Sequence, residues 1–321
     1  MLNTKRWSKR ALFLCPIIAL GLLPLYVDQP YISHILTTVF INVMLAASLR
    51  LSLMTGQFNI GHAAFFALGA YGATILGIQF GIPSGVCLLL GGLIAALISL
   101  PIGIVTLRLR GVYFALVSIA VVEVVRVALS QGGDLTGGSS GLGNIPTLVV
   151  FGNAITGRDE FYWFGFVLML ITIFVLYRLE IGRIGMTWKA ISQSENMAAS
   201  VGVNIMRYKT AAFVIGSFFA GLAGGFFAYF QGFLSPSTFG FFQSVKILIY
   251  NYVGGTALLA GPIVGATMMT LLSEPFRGFT YYEVIFFAIV LIAVIALLPG
   301  GIITLPQRLR LRKKYDYRTP N

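Results

Sequence analysis

Apolar runs separated by short polar turns follow one another along the whole chain, and most are about 17 to 25 residues long. Runs of that length predict helices that cross a lipid bilayer. The predicted fold class is therefore an all-α polytopic membrane protein with about ten transmembrane helices. The runs lie at residues 11–27, 31–50, 51–76, 84–107, 112–130, 161–178, 209–230, 241–258, 262–275 and 281–299.

The stretch 241–275 leaves two span counts open. Gly254-Gly255 and Gly261-Pro262 divide it into two short pieces, which either cross as two spans or form a re-entrant pair. The second case reduces the count from ten spans to eight. In both cases no soluble domain interrupts the runs, so residues 1–321 are predicted to form a single transmembrane domain.

The first run, at 11–27, follows a basic stretch and so resembles the start of a signal peptide. Asp28-Gln29-Pro30 comes directly after it, without the small-residue pattern of a cleavage site. We therefore expect this run to be retained as the first span.

Composition and charge agree with a membrane protein. Hydrophobic residues make up 57% of the chain and charged residues only 10%, whereas a soluble protein has about a quarter charged residues. A net charge of +12 would suggest nucleic acid as the partner of a soluble protein, but here the basic residues cluster at the two ends. They are Lys5, Arg6, Lys9 and Arg10 before the first run, and Arg308, Arg310, Arg312, Lys313, Lys314 and Arg318 after the last. Because basic flanks stay in the cytoplasm, both termini are predicted to be cytoplasmic, with the lipid bilayer and not nucleic acid as partner.

The longest polar segment between two apolar runs is RLEIGRIGMTWKAISQSENMAASVGVNIMRYK, residues 178–209. Its centre, from about Met186 to Ser200, is predicted to be one short helix that ends near Gly202. Trp188, Ile191 and Ala198 recur at the spacing of an apolar stripe on that helix. A basic, partly amphipathic helix between spans belongs on the cytoplasmic face. Two interpretations are open: a solvated loop, or a surface on which a soluble partner acts.

Residues 131–160 form the longest loop on the opposite side. The segment is rich in Gly, Ser, Asp and Asn, and its acidic residues outnumber its one arginine, which fits an external position. Its apolar piece at 148–151 is too short to span a bilayer.

Polar residues at the broken start of the third run are the first candidates for a translocation path. Thr55-Gly56-Gln57 interrupts the helix, and a dense surface of Gly and Ala follows, which lets helices approach closely. Gln57, Asn59 and His62 lie at this break, where transporters expose polar groups to their pathway. A packed histidine that forms a structural hydrogen bond is the alternative for His62.

Charged residues inside later runs are the second set of candidates. Glu123 and Arg126 are three residues apart, so they share one helix face and are predicted to pair. Lys246 lies in the run at 241–258. Charges at that depth are costly unless they are paired or hydrated, so they indicate either a path or a pairing between helices.

Catalytic motifs are absent from the sequence. No Walker loop, GxGxxG, HExxH or CxxC pattern occurs, and both cysteines, Cys15 and Cys87, lie inside apolar runs. No metal site, cofactor or catalytic residue is predicted, and the chain is expected not to be an enzyme. Energy for uphill transport would come from an ion gradient or from another chain.

Several stretches resemble, in order and spacing, the permease subunits of branched-chain amino acid ABC transporters. They are TGQFNIGHAAFFALGAY from residue 55, LRLRGVYFALVSIAVVEVVR from 107, DLTGGSSGL from 134, GRIGMTWKAISQSENMAASVGVNIMRYK from 182, FFAGLAGGFFAYFQGFLSP from 218 and GGTALLAGPIVGA from 254. Together they cover about residues 50 to 275.

The resemblance implies a permease of a bacterial inner membrane importer. Its partners would be a homologous second permease, two ATP-binding subunits that hydrolyse ATP, and a periplasmic substrate-binding protein. Residues 180–208 would form the cytoplasmic coupling loop, and residues 131–160 the periplasmic loop where the binding protein docks. Contacts with the ATP-binding subunit would come from Trp188, Lys189, Ile191, Glu195, Ala198 and Gly202.

Two features depart from the family's usual pattern. Ser192-Gln193 stands where the family usually has an arginine followed by an acidic residue, and Lys246 stands where it usually has glutamate. These departures leave partner contacts and substrate open. Branched-chain amino acids, urea and short amides all remain candidate substrates, and a stand-alone gradient-driven carrier is the alternative outside the family.

Overall fold

The computed structural model describes residues 30–150, 152–276, 280–298 and 300–304. The predicted first span at 11–27 and the two basic ends lie outside these residues. The longer helices are α1 (Pro30–Met54), α2 (His62–Phe80), α3 (Ser84–Thr106), α4 (Val112–Ser130), α5 (Arg158–Ile181), α6 (Arg183–Gln193), α7 (Glu195–Ser200), α8 (Ile205–Gln231), α9 (Phe241–Gly254), α10 (Ala260–Ser273) and α11 (Thr280–Leu297).

Six of the described helices, α1 to α5 and α8, are long and apolar enough to cross a membrane. The all-α membrane class predicted from the sequence is therefore confirmed. Several boundaries differ from the prediction. Helix α1 continues past Arg50 to Met54, the next helix begins only at His62, and α5 begins at Arg158 and ends at Ile181. The helix bounds differ from the apolar runs because hydrophobicity indicates which residues lie in the bilayer, whereas backbone hydrogen bonds determine where a helix begins and ends.

Helix α8 lies at the centre of the bundle and packs against α1, α2 and α3. Glycines allow this close approach. A Cβ added to Gly69 of α2 would lie 2.1 Å from the carbonyl oxygen of Gly221 in α8, and one added to Gly224 would lie 2.1 Å from that of Phe66. The small-residue surface predicted on the third run thus faces the glycines of α8, as tight packing between membrane helices requires.

Helices α9 and α10 form an antiparallel hairpin in which each helix has 14 residues. At 1.5 Å per residue each is about 21 Å long, shorter than the hydrocarbon core of a bilayer. A Cβ on Gly254 would clash with the carbonyl of Gly261, and one on Gly265 with that of Tyr250. The interrupted stretch predicted at 241–275 is therefore a tightly packed pair of short helices.

The segment between α4 and α5 contains a small two-stranded antiparallel sheet. Strands β1 (Leu148–Val150) and β2 (Asn153–Ile155) pair, and Leu148 is fully buried. Earlier in the same segment, Leu142 forms a β-bridge with Leu234, which ties the segment to the turn after α8. Residues 148–150 of the short apolar piece predicted at 148–151 thus form the first strand of a hairpin.

Candidate functional site

The polar segment 180–208 folds as two helices and not as the single helix predicted from Met186 to Ser200. Helix α6 ends at Gln193, and Ser194 has extended backbone angles (φ −161°, ψ 111°). The Ser194 hydroxyl accepts a hydrogen bond from the backbone N–H of Met197 at 3.3 Å, so it caps α7. The prediction of one helix was wrong because a serine followed by glutamate is also a start signal.

The apolar stripe of this segment packs inward, although its three residues were expected to contact the ATP-binding subunit. Trp188 is completely buried, and Ile191 and Ala198 are nearly so. The indole Nε1 of Trp188 donates a hydrogen bond to the backbone carbonyl of Tyr208 at 2.9 Å, which fixes α6 against the first turn of α8. Gly202 follows α7 with φ of +84°, a left-handed conformation that suits glycine at a helix end.

Helix α6 also packs closely against the ends of two long helices. A Cβ on Gly185 would lie 2.1 Å from the carbonyl oxygen of Glu180, so α6 folds back onto the last turn of α5. At its other end, the Cα of Ser192 is 3.5 Å from where a Cβ of Gly56 would be, in the loop after α1. The segment therefore touches both α5 and the loop that leads into α2.

A buried ion network lies directly above α6. The guanidinium of Arg50 in α1 binds both carboxylate oxygens of Glu180 in α5, at 2.5 and 3.0 Å. Lys189 of α6 donates to the same carboxylate at 3.0 Å. Arg50 and Glu180 are 1% and 7% exposed, whereas Lys189 is 49% exposed. The sequence predicted Lys189 as a site residue but not Arg50 or Glu180. Glu180 could have been found, because it is an acidic residue in a mostly basic segment.

A second ion pair fixes α7. Glu195, the first residue of α7, binds Lys209 of α8 at 2.5 Å, and Lys209 is only 3% exposed. The other Glu195 oxygen lies 3.4 Å from exposed Arg110, in the turn between α3 and α4. Glu195 thus holds together three separate parts of the chain.

The outward surface of the segment is unusual because it is apolar in the middle of a polar stretch. Met186, Met197 and Val201 are 61%, 74% and 79% exposed. Large exposed apolar side chains on a segment whose other side is packed against the bundle are typical of a contact surface for another protein.

The residues predicted near the break before α2 do cluster. Gln57, Asn59 and His62 are all buried. The Asn59 side-chain oxygen accepts the backbone N–H of Gly61 at 2.7 Å, and His62 Nε2 lies 2.8 Å from the hydroxyl of Ser48 in α1. Asn59 Nδ2 and His62 Nδ1 have no hydrogen-bond partner within the described part of the chain.

The predicted pairing of Glu123 with Arg126 is confirmed, since Arg126 Nε lies 2.7 Å from Glu123 Oε2. The structure adds a role that the spacing alone did not indicate. Glu123 Oε1 also accepts the backbone N–H of Phe241, at 3.2 Å, so the carboxylate lies at the N-terminus of α9. A negative charge is favourable there because it interacts with the helix dipole.

Lys246 does not join that pair. Its ammonium group binds Glu283 of α11 at 2.5 Å and lies 5.4 Å from the centre of the Phe287 ring. Helix α9 is still linked to the break before α2, since Ser244 accepts the N–H of Ala63 at 3.1 Å. The two ion pairs therefore flank the beginning of α9.

The polar groups of the site form ion pairs and hydrogen bonds that join neighbouring helices. In the residues that the structure describes, no group of three His, Cys, Asp or Glu side chains is arranged as metal ligands would be. Long apolar helices around a glycine-lined core, with an exposed apolar surface on a tethered polar segment, are typical of a multi-pass permease.

The chain belongs to the family of the branched-chain amino acid transport system permease component, whose profile matches residues 31–295. It is 30% identical to the high-affinity branched-chain amino acid transport system permease protein LivM of Escherichia coli, over 93% of this chain and 76% of that one. It is also 30% identical to LivH of the same organism, over 49% of this chain and 51% of that one. A probable LivH permease of Methanocaldococcus jannaschii is 24% identical over 81% of this chain and 87% of its own. No solved structure significantly matches the chain.

Proposed function

We propose that this chain is a permease subunit of an ABC importer that moves branched-chain amino acids across the bacterial inner membrane. The observation that carries the proposal is the 180–208 segment. It is fixed from behind by Trp188 and Glu195, and it presents exposed Met186, Met197 and Val201 on its other side. Such a surface suits the groove of a separate ATP-binding subunit, and membership of the family supports the same role.

The partners follow from that role. Two ATP-binding subunits would hydrolyse ATP, and a periplasmic substrate-binding protein would deliver the substrate to the 131–160 loop. The other permease would be a homologue of this chain. Similarity to both LivM and LivH, which are separate permease proteins in one organism, supports a pair of related permeases.

We propose ten spans with both termini in the cytoplasm. The hairpin turn between α9 and α10 contacts Arg50 near one end of α1, while Glu274, just after α10, accepts a hydrogen bond from Tyr31 at the other end. These two contacts lie near opposite ends of α1, which supports a full crossing by the hairpin and the residues around it. We propose that α9, α10 and α11 cross in addition to the six long apolar helices, which together with the span expected at 11–27 gives ten.

Reporter fusions test this topology. Alkaline phosphatase fused after residue 145 should be active, because the 131–160 loop is proposed to be periplasmic, and a fusion after residue 195 should be inactive. Matched fusions of a cytoplasmic reporter should give the opposite pattern. Active phosphatase at residue 195 would overturn the proposed orientation.

The mechanism that fits these parts is alternating access. Movement of the ATP-binding subunits would displace the 180–208 segment and tilt the attached helices around a path between the two permeases. We propose that Gln57, Asn59, His62, Glu123, Arg126 and Lys246 line this path or pair the helices beside it. The chain itself would perform no catalysis.

Isolation from native membranes followed by uptake assays tests the function. Co-purification of two ATP-binding subunits, a second permease and a periplasmic binding protein is expected, together with loss of labelled leucine uptake in a deletion strain. The same partners with loss of urea uptake would keep the mechanism and change the substrate. Purification of the chain alone, with uptake abolished by an ionophore, would mean a stand-alone carrier and contradict the proposal.

A further inference from the structure

The side chain of Arg50 joins the end of α5 to the turn of the α9–α10 hairpin. On one side it binds Glu180 at the end of α5. On the other, its Nε donates to the carbonyl of Thr256 at 3.1 Å and its Nη2 to that of Ala257 at 3.3 Å. Both carbonyls lie in the turn of the α9–α10 hairpin. One fully buried guanidinium therefore connects α1, α5 and the hairpin turn.

The connection continues outward to the surface of the segment. Glu180 Oε1 accepts hydrogen bonds from both Arg50 and Lys189, and Lys189 lies on α6 with its side chain half exposed. A displacement of α6 therefore acts on the Glu180 carboxylate through Lys189. It then reaches the hairpin turn through Arg50.

The hairpin in turn contacts the polar groups proposed to line the path. Near its start, α9 accepts the N–H of Ala63 on the Ser244 hydroxyl and donates the N–H of Phe241 to Glu123. Farther along, Asn251 donates to the carbonyl of Ala46 in α1 at 3.0 Å. A tilt of α9 thus moves the start of α2 and the Glu123 carboxylate together.

We propose that Arg50 is a positioning residue that transmits movement of the 180–208 segment to the α9–α10 hairpin, and that transport depends on this link. The inference rests on the proposed function, because it assumes that a partner moves the segment. Stability of the fold does not explain why arginine occupies position 50, since a buried ion pair often stabilises a fold no more than apolar side chains of the same size. A role in transmitting movement does explain it, because the planar guanidinium has several N–H donors and holds both partners in a fixed geometry.

The test compares uptake with ATP hydrolysis in the complete transporter, purified and reconstituted into proteoliposomes with its binding protein. Arg50→Lys keeps the positive charge but has too few donors in the right geometry for both the carboxylate and the two carbonyls. Glu180→Gln keeps the size but removes the charge. We expect each to lower the leucine transported per ATP hydrolysed by at least about fivefold, the lower end of typical coupling effects, with ATP hydrolysis retained.

Asn42→Ala is the matched control. Asn42 also joins α1 to the hairpin, through a buried hydrogen bond to Thr270 at 2.9 Å, but it has no link to α6. It should lower the yield or thermal stability of the complex without changing the transport per ATP. A fall in that ratio for Asn42→Ala equal to that for Arg50→Lys would overturn the proposal, because any loosening of the hairpin would then have the same effect.

Lys189→Met provides a variant whose folding is not at risk, because its side chain is half exposed. It removes the outer end of the connection, and we expect it to lower the transport per ATP in the same direction. Because Lys189 is also an expected contact of the ATP-binding subunits, their co-purification with the variant should be unchanged. An unchanged ratio in Lys189→Met, or uptake and hydrolysis that fall in parallel in Arg50→Lys, would show that the network is only structural. Failure of the wild-type complex to transport leucine would instead contradict the proposed function.

Discussion

The indole N–H of Trp188 is hydrogen-bonded to the carbonyl of Tyr208 at 2.9 Å, across the turn that joins α7 to α8. Trp188 is completely buried although it lies in the most polar segment between two spans. The bond and the burial together fix α6 beneath α8. The proposed coupling needs such an attachment, since a loosely attached loop would absorb any displacement.

Truncation of Trp188 should separate its two contributions. Trp188→Phe retains most of the buried area but leaves out the hydrogen bond, and it should destabilise the protein by about 1 kcal/mol. Trp188→Ala leaves a cavity and should cost about 3 to 5 kcal/mol. Thermal unfolding of the purified complex measures both. Equal effects of the two variants would mean that the hydrogen bond, not the packing, holds α6.

Proline at position 198 should disrupt the coupling segment without preventing insertion into the membrane. The backbone N–H of Ala198 donates to the carbonyl of Ser194 at 3.1 Å, and proline removes that donor at a cost of roughly 3 kcal/mol. We expect Ala198→Pro to abolish ATP-coupled uptake while the protein remains in the membrane fraction. Ala199→Ser, one residue farther on an exposed position, is the control and should transport normally.

Glu195→Gln should have a related effect for an electrostatic reason. The substitution leaves the ammonium group of Lys209, which is 3% exposed, without its charged partner. Uptake should fall strongly, whereas Arg110→Gln, which removes only the exposed member of the cluster, should change it little. Comparable losses in Arg110→Gln and Glu195→Gln would argue that the surface charge matters more than the buried one.

The sequence was sufficient for the features that depend on neighbouring residues. Apolar runs indicated the helices, and the separation of Glu123 and Arg126 indicated that they can pair. The spacing of Trp188, Ile191 and Ala198 indicated an apolar stripe, but not that it packs against the bundle rather than against a partner. The pairing of Arg50 with Glu180, 130 residues apart, depends on how α1 and α5 pack. No local pattern contains that information, so neither residue was predicted to belong to the site.

Substitution of Gly69 tests the glycine contact at the centre of the bundle. A Cβ at this position would lie 2.1 Å from the carbonyl oxygen of Gly221, a distance that backbone atoms cannot accommodate without moving α2 and α8 apart. Gly69→Ala should therefore destabilise the protein by about 1 to 3 kcal/mol or more. Gly81→Ala is unsuitable as a control because its φ is +61°. Ala67→Gly, which removes a methyl group from the same helix, is the better comparison and should be milder.

Lys246 and Glu283 should tolerate an exchange of charges better than a single reversal. Lys246→Glu restores the residue that the resemblance gives for the family, but in this chain it would place two carboxylates together, since Lys246 lies 2.5 Å from Glu283. Like charges in a membrane-spanning region are costly, so we expect the single variant to lose both stability and uptake. Glu283→Lys should lose both as well, because it would place two ammonium groups together.

The double variant Lys246→Glu/Glu283→Lys restores an ion pair between α9 and α11 and should recover much of the stability and the uptake. Recovery that is absent in the double variant would mean that Lys246 contributes more through its position over the Phe287 ring than through the ion pair, because glutamate cannot replace a cation there.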